Sequence, residues 1–225
     1  MFEISSAWKS AYPGAAVGVL MMSGVSNPQH HPALHDRKEH LEATLRSQYA
    51  KYDRATLKAL PVLAAYGAYY KQFKKTYHVQ HQLESIVFKQ RSIPSVAALV
   101  EAMFMAELKN QLLTAGHDLS NVAPPLRIDV AQGNESYIRM NGQQQVPKER
   151  DMMIVDKVGI LSTILYGPDR RTQIQPETER IIFTVYAPLG IEETEVQGHL
   201  WDLQENVNII APLASTELLS TFNTD

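Results

Sequence analysis

Residues 93–130 read IPSVAALVEAMFMAELKNQLLTAGHDLSNVAPPLRIDV, and the change of pattern within them decides the fold class. After Pro94 the apolar side chains recur at the one-face spacing of a 3.6-residue repeat over about five turns. They are Val96, Leu99, Val100, Met103, Phe104, Leu108 and Leu112. This spacing predicts an amphipathic helix that packs on the core, closed at its carboxyl end by Gly116 as a cap.

Downstream of residue 116, short runs of Val, Ile and Tyr between Gly, Pro and Asn predict a sheet. The candidate strands are Leu126–Val130, Ser136–Met140, Met152–Val155, Ile160–Tyr166 and Arg180–Ala187. An amphipathic helix is predicted near 192–210, and the last residues are expected to be loosely held. Helices in one block and strands in another predict the α+β class, a layered sandwich of mostly antiparallel strands with packed helices, rather than the alternation of a Rossmann fold.

Upstream of residue 93 the chain is predicted to be mainly helical. Ala15–Met22 favours one buried strand, Pro32 begins an amphipathic helix, and a second helix is predicted around Leu57–Lys74. We therefore expect a single domain over residues 1–225. Its predicted parts are a helical N-terminal part at about 1–90, a core at about 91–190 and a C-terminal helix at about 191–212.

Composition excludes several classes of protein. The 225 residues are 44% hydrophobic and 20% charged, so the chain can bury a core and is not disordered as a whole. There is no cysteine, which excludes thiol catalysis, cysteine-ligated metals and disulfides, and predicts a reducing, cytoplasmic location. The amino-terminal stretch does not resemble a signal peptide, and no run approaches the roughly 18 to 20 apolar residues of a membrane span, so no membrane partner is expected.

The common catalytic and cofactor signatures are absent from the sequence. It contains no phosphate-binding GxxxxGK, no GxSxG, no HExxH and no dinucleotide glycine motif, so no cofactor is expected. His31 and His35 are spaced i, i+4 beside Asp36 and Glu39, which could hold a metal. The segment is charged on nearly every side, however, and a solvated surface is the favoured reading. We predict no metal site.

A local basic segment lies at residues 65–91, although the net charge of the chain is −3. Its cations are Lys71, Lys74, Lys75, Lys89 and Arg91, and the interleaved rings are Tyr66, Tyr69, Tyr70, Phe73 and Tyr77. Ammonium groups that neutralise phosphates and rings that stack on bases would suit single-stranded RNA. The alternative is a helix whose tyrosines are buried in the core and whose lysines are solvated.

Two clusters in the second half combine groups suited to chemistry. His117 beside Asp118 could supply a general base and the group that orients it, or could form an ordinary turn. Residues 166–172, YGPDRRT, place a carboxylate next to Arg170 and Arg171, whose forked donors suit phosphate. A solvated turn between two strands explains the same residues.

The run from Arg91 to about Gly190 resembles the B3/B4 domain, the editing module of the phenylalanyl-tRNA synthetase beta chain. It resembles still more closely the free-standing proteins that consist of this domain and a helical N-terminal part. The resemblance rests on the order of five segments: IPSVAALVEAMFMAELKN, LLTAGHDL, GNESYIRMNG, MMIVDKVGILSTILYG and DRRTQIQPETERIIFTVYAP.

The resemblance implies a cleft that holds the amino acid end of a mischarged tRNA and hydrolyses its ester. An aminoacyl ester is activated, so a positioned water and donors for the oxyanion can suffice without a covalent nucleophile. Two motifs depart from the family. Its H-A-F-D run is Ala115-Gly116-His117-Asp118 here, and its glutamate after two glycines matches the turn Gly167-Pro168-Asp169.

The resulting hypothesis is an RNA-facing module that binds tRNA or aminoacyl-tRNA, with hydrolysis of mischarged species in trans as its catalytic version; it is not a complete ligase and has no DNA partner. His117 and Asp169 are the catalytic candidates. Substrate contacts are assigned to Asn110, Gly116, Asp118, Thr163 and Gly167, and RNA contacts to Lys71, Lys74, Lys75, Lys89, Arg91, Arg170 and Arg171. The alternative function is a protein that binds a free amino acid or another small molecule and has no RNA partner.

Overall fold

The computed structural model describes residues 2–224, and within them the chain forms seven α-helices and eleven β-strands. The helices are α1 (Ser6–Ala11), α2 (Pro32–Gln48), α3 (Arg54–Lys58), α4 (Pro61–Gln72), α5 (His78–Lys89), α6 (Ala98–Asn110) and α7 (Glu193–Ile210). The strands are β1 (Phe2–Ile4), β2 (Ala16–Ser23), β3 (Thr114–Asp118), β4 (Leu126–Val130), β5 (Tyr137–Ile138), β6 (Gln144–Gln145), β7 (Met152–Val155), β8 (Ile160–Thr163), β9 (Gly167–Pro168), β10 (Arg180–Ala187) and β11 (Ser215–Asn223). The predicted α+β class is confirmed.

One sheet has four antiparallel strands in the order β11-β2-β10-β3. Its central strand β2 is buried along nearly its whole length, as the continuous apolar run in the sequence predicts. Helix α7 packs across β2, and Gly18 lets the two approach closely. A Cβ at Gly18 would lie 2.6 Å from Val196 Cγ1, so a larger residue there would push the helix off the sheet.

The other large sheet has five strands in the order β1-β4-β7-β8-β9, and the short β5-β6 hairpin forms a third sheet. Only the β1–β4 pair is parallel among the strand pairs within residues 2–224. The two large sheets face each other through buried polar contacts. Ser162 on β8 lies 2.7 Å from the Tyr186 hydroxyl on β10, and residues of both sheets share one hydrophobic core.

The tyrosines of the local basic segment lie in the core. This agrees with the alternative given for the segment, in which the tyrosines are buried and the lysines are solvated. Tyr66, Tyr69, Tyr70 and Tyr77 are each at most 2% exposed, so their rings cannot stack on RNA bases. Their hydroxyls tie the helical layer to the rest of the molecule. Tyr69 donates to Asp151 at 2.8 Å, Tyr70 to the Ile164 carbonyl at 2.6 Å and Tyr77 to the Gln111 carbonyl at 2.8 Å.

Several sequence predictions about single elements are wrong. The helix predicted around Leu57–Lys74 is two helices, α3 and α4, because Pro61 has no N–H and begins the second one. Gly116 is not a helix cap but lies inside β3, since α6 ends at Asn110 with Gln111 in the left-handed conformation, φ 63°.

The two ends of the chain are also more ordered than predicted. The buried strand predicted at Ala15–Met22 is confirmed as β2, whereas β1, which joins the five-stranded sheet, was not predicted. The final residues are not loose, since β11 pairs with β2 along most of its length. The predicted ends of the domain, Met1 and Asp225, lie outside the described residues.

No helix in the described part of the chain is both long and apolar enough to cross a bilayer.

Candidate functional site

A cleft of about 850 Å³ opens between α6, the β3 strand and the β8–β9 segment. One wall is a single face of α6, where Val100, Met103, Phe104 and Glu107 follow one another at helical spacing. The facing wall is the segment Thr163–Pro168. More of the cleft surface is apolar than polar, and polar side chains such as Asn27, Glu107 and Arg139 lie among the apolar ones, as in many small-molecule sites.

Strand β3 forms part of the cleft wall, and one of its residues there, Gly116, has no side chain. Thr114, Ala115 and Gly116 line the cleft, and Gly116 leaves room for its neighbours. A Cβ at Gly116 would lie 2.9 Å from Ile174 Cδ1 and 3.1 Å from the Phe183 ring. A larger residue at position 116 would therefore displace the cleft wall.

Besides the tyrosines, three ionisable side chains of the cleft lining were not predicted as site residues: His78, Glu107 and Arg139. Glu107 is 2% exposed, and its Oε1 accepts a hydrogen bond from the Thr114 N–H at 2.8 Å. Burial raises the pKa of Glu107 to about 8. Arg139 is half-buried and donates from Nε to the Tyr166 carbonyl at 3.2 Å. A carboxylate on the apolar face of the long helix was the available signal for Glu107, and Arg139 lies within the motif GNESYIRMNG.

The fold places the side chains of His117 and Asp169 close to each other. Neither of them is among the side chains that line the cleft. His117 is fully buried; its Nδ1 lies 2.7 Å from Thr172 Oγ1 and 3.9 Å from Asp169 Oδ1, and its Nε2 lies 3.3 Å from Ser162 Oγ. Burial lowers the pKa of His117 to about 3, so the ring is neutral at physiological pH.

The partners of His117 define a continuous hydrogen-bonded chain. The Thr172 hydroxyl donates to Asp169, which leaves its oxygen to accept from His117 Nδ1–H. Nε2 lies within hydrogen-bond distance of the Ser162 hydroxyl, which is also hydrogen-bonded to the Tyr186 hydroxyl, and Tyr186 donates to the Ser162 carbonyl at 3.0 Å. Since Tyr186 lines the cleft, this chain connects the cleft to Asp169 through the core. Both imidazole nitrogens are occupied by hydroxyl partners, so the His117 ring reaches the cleft only through these neighbours.

The five predicted substrate residues separate into two groups. Gly116, Thr163 and Gly167 line the cleft. Asp118 instead accepts from the Ser120 N–H at 2.9 Å and the Thr178 hydroxyl at 2.9 Å, and shapes the turn after β3. Asn110 lies in another groove, between α6 and α7, where it donates to Asp202 at 2.8 Å.

The predicted RNA-binding cations also differ in their surroundings. Lys71, Lys74, Lys89, Arg91 and Arg170 are exposed. The Lys75 ammonium lies 4.5 Å from the centre of the Tyr166 ring, which lines the cleft, so the basic segment reaches the cleft rim there. Arg171 is held by both oxygens of Asp156 at 3.0 Å and by the Asn121 carbonyl at 2.7 Å, so its guanidinium is largely committed within the protein.

A second, open groove of about 730 Å³ lies beside the end of α4. Lys74, Lys148 and Arg150 line it, together with Glu149. We call the surface formed by Lys71, Lys74, Lys75, Lys148 and Arg150 the basic surface. It extends from this groove to the rim of the cleft at Lys75.

Among residues 2–224 no three His, Cys, Asp or Glu side chains are grouped so that they could hold a metal ion. His31 has a different role, since its Nδ1 accepts the Leu34 N–H at 3.4 Å and caps α2. His35 lies 3.5 Å from Glu39 on the helix surface.

Comparison with known proteins points to one family. The model of the B3/4 domain matches residues 63–200, which is more than half of the chain and includes most of α4, all of α5 and the cleft lining apart from Asn27 and Gln29. The match begins upstream of residue 91, where the resemblance was first placed. No curated protein matches the chain.

A similar solved structure is an N-terminal fragment of the phenylalanyl-tRNA synthetase beta-subunit from Pyrococcus horikoshii. The TM-score is 0.49 at 10% sequence identity, and the alignment covers 97% of this chain. The chain spans 54% of the length of that fragment.

Proposed function

The chain belongs to the B3/4 domain family, and from this premise we propose that it is an RNA-facing module that binds tRNA or aminoacyl-tRNA. In this proposal the cleft receives the aminoacyl end and the basic surface contacts the phosphates. Hydrolysis of mischarged species in trans is the catalytic version of the same proposal.

The observation that carries the proposal is the contact between Lys75 and Tyr166 at the cleft rim. It makes the basic surface continuous with an apolar cleft, so one ligand could place its phosphates on the lysines and its end group in the cleft. An aminoacyl-tRNA has both parts. The basic surface supports phosphate contact although the net charge is −3, because phosphate binding depends on local cations.

For the catalytic version, the protein would hold a water and the ester carbonyl about 3 Å apart and supply donors for the oxyanion. Of the predicted residues, Thr163 has a side chain in the cleft. His117 and Asp169 stay predictions as catalytic residues. From their places in the hydrogen-bonded chain they would act as positioning residues, by orienting Ser162 and Tyr186.

Binding of bulk tRNA, charged and uncharged, across about 25 to 200 mM salt tests the proposal. Six phosphate contacts would weaken binding by roughly a thousandfold or more over this range. A double substitution, Lys71→Glu with Lys74→Glu, should weaken binding and flatten the salt dependence. The matched control, Lys51→Glu with Lys58→Glu, changes the net charge equally on exposed lysines outside the basic surface. No binding at the lowest salt, or equal losses in both variants, would refute the RNA partner.

The size and apolar lining of the cleft favour a second candidate function, binding of a free amino acid or another small molecule with no RNA partner. A thermal shift screen separates the two candidates. A ligand at 100 times its dissociation constant stabilises a protein by about 2.7 kcal/mol. Stabilisation by free aromatic amino acids, with no effect of tRNA, would support this second function.

The domain organisation supports action as a single unit. One hydrophobic core contains buried residues from Trp8 to Ile210, so helical and sheet parts share the same interior. We propose that this one domain acts in the cytoplasm. Limited proteolysis should leave the chain uncut between α4 and α7, and release of a stable helical fragment would contradict the single-domain proposal.

A further inference from the structure

We infer that Glu107 binds the free α-ammonium group of the aminoacyl ligand, with the apolar face of α6 beside it holding the amino acid side chain. This inference rests on the proposed function and names the chemical group that the cleft would recognise. It gives the cleft a ligand class defined by a primary ammonium next to an apolar side chain.

Glu107 differs from the other buried glutamates in having no cation. Glu101 lies 3.2 Å from Lys38, Glu42 lies 3.0 Å from Arg46, and Glu84 lies 3.7 Å from Arg54. Glu107 is the most buried of the four, yet none of the ion pairs within residues 2–224 includes it. Buried carboxylates are normally paired because an isolated buried charge is costly. A cation supplied by a ligand would complete this site.

The surroundings of the carboxyl leave one oxygen for a ligand. Oε1 is held by the Thr114 N–H, and no hydrogen bond to Oε2 is found within the described residues. The fully buried polar atoms without a partner in this part of the chain do not include Oε2, so Oε2 is accessible. The Glu107 side chain lines the cleft. The tyrosines nearest Glu107, Tyr66, Tyr70 and Tyr77, are neutral at physiological pH because burial raises the pKa of each hydroxyl.

Within the described residues, no side chain of the cleft lining gives Glu107 a compensating charge. His78 and Arg139 are the other ionisable side chains of the lining besides the tyrosines, and neither forms an ion pair with Glu107. The pKa of about 8 reflects this uncompensated burial, with the Thr114 N–H acting in the opposite direction. A bound ammonium would favour the ionised carboxylate and form a charge-assisted hydrogen bond with it.

The position of Glu107 on α6 is also the reason why we expect the ligand to have an apolar side chain. Val100, Met103 and Phe104 precede it by seven, four and three residues, so all four side chains lie on one face of the helix. An amino acid whose ammonium is at Glu107 could therefore lay an apolar side chain along the same face. An N-acylated amino acid could not, since its amide nitrogen is neutral and bulkier.

The test compares bulk aminoacyl-tRNA before and after N-acetylation of its amino groups. Wild-type protein should bind the free amine about tenfold or more tightly, the usual value of a hydrogen bond to a charged group. Glu107→Gln should remove this preference while leaving binding of uncharged tRNA and its salt dependence unchanged. Glu84→Gln, a buried glutamate on α5 outside the cleft lining, should keep the preference.

The outcomes separate this inference from the proposed function. Equal binding of free and acetylated species by wild type, or an undiminished preference in Glu107→Gln, overturns the inference while tRNA binding stands. If tRNA does not bind at all, the same comparison is made by thermal shift with the amides of phenylalanine, leucine and methionine and their N-acetyl derivatives. Stabilisation by the free amines alone supports Glu107 without RNA, and equal effects overturn its role. The wild-type comparison requires no variant to fold.

Discussion

At the scale of single residues, the interior of the described chain contains carboxyl groups that form no ion pair with a cation. Asp151 is fully buried, accepts the Tyr69 hydroxyl at 2.8 Å and the Leu165 N–H at 3.3 Å, and has its pKa raised to about 7 by burial. Glu107 is a second example. Such groups bind protons more tightly in the folded chain than in the unfolded one, and they make stability depend on pH.

Asp151 should therefore make folding less favourable as the pH rises. Its ordinary pKa is 3.8 and its folded pKa is about 7, so its stabilising contribution is complete below pH 3.8 and is lost as the pH rises through 7. Asp151→Asn removes this dependence and keeps an acceptor for Tyr69. The difference in unfolding free energy between wild type and variant, from urea titrations, should change by at most about 1.4 kcal/mol per pH unit between pH 4 and 7. Parallel curves for the two proteins would contradict this prediction.

His117 is expected to stabilise the fold, because both of its nitrogens satisfy buried hydroxyl groups. His117→Ala leaves Ser162 and Thr172 without this partner and creates a cavity, which should cost about 2 to 4 kcal/mol. Urea unfolding measures this loss. A variant with unchanged stability that has lost deacylation would instead show that His117 acts in catalysis itself.

At the scale of secondary-structure elements, the end of α4 combines an unfavourable backbone conformation with a cation that we propose to contact RNA phosphates. Lys74 has φ 57° where helices usually place glycine, and the Lys74 and Lys75 N–H groups close the helix on the Lys71 and Tyr70 carbonyls. A lysine in this position suggests that its charge is needed on the basic surface.

Lys74→Gly should separate these two effects. The variant should unfold at a higher temperature, with a gain of up to about 1 kcal/mol, because glycine adopts this conformation without strain. Its tRNA affinity should fall, and its salt slope should decrease by about 1. Gln90→Gly is the matched control, since Gln90 ends α5 at φ 55° and carries no charge. Should both variants bind tRNA like wild type, Lys74 has no phosphate contact.

How far the elements can be predicted depends on whether their side chains alternate between core and solvent. Helix α6 and strand β10 have clear periodicity or a continuous apolar run, and their predicted positions are confirmed within a few residues. Strand β3, TAGHD, is buried on both faces yet contains polar residues that pair with other elements, so no pattern marks it. Strand β11 is half-exposed and mostly polar, and only its pairing with β2 orders it.

The same limit applies to the candidate site. The sequence brought His117 and Asp169 to attention as chemistry-bearing residues, and the fold does place them in contact. The sequence could not show that Gly116 faces the cleft and His117 faces away from it. Adjacent residues of a strand point to opposite faces, and which face is toward the cleft depends on how the strand is placed in its sheet. Glu107 was missed because a single carboxylate in an apolar pattern resembles an ordinary interruption of the helix face.

At the scale of the whole molecule, the shared core predicts that the described chain unfolds in one cooperative step. Trp8 is fully buried in α1, which contacts β4 of the five-stranded sheet, whereas Trp201 is 56% exposed on α7. In Trp201→Phe the remaining indole reports on the N-terminal part alone, and the substitution removes little buried surface. Far-ultraviolet circular dichroism reports on all helices together. Because tyrosines of α4 form hydrogen bonds with Tyr186 of one large sheet and Met152 of the other, the two signals should give the same urea midpoint. An earlier midpoint for Trp8 would mean that the N-terminal elements unfold separately, and the chain would then have to be treated as two cooperative units.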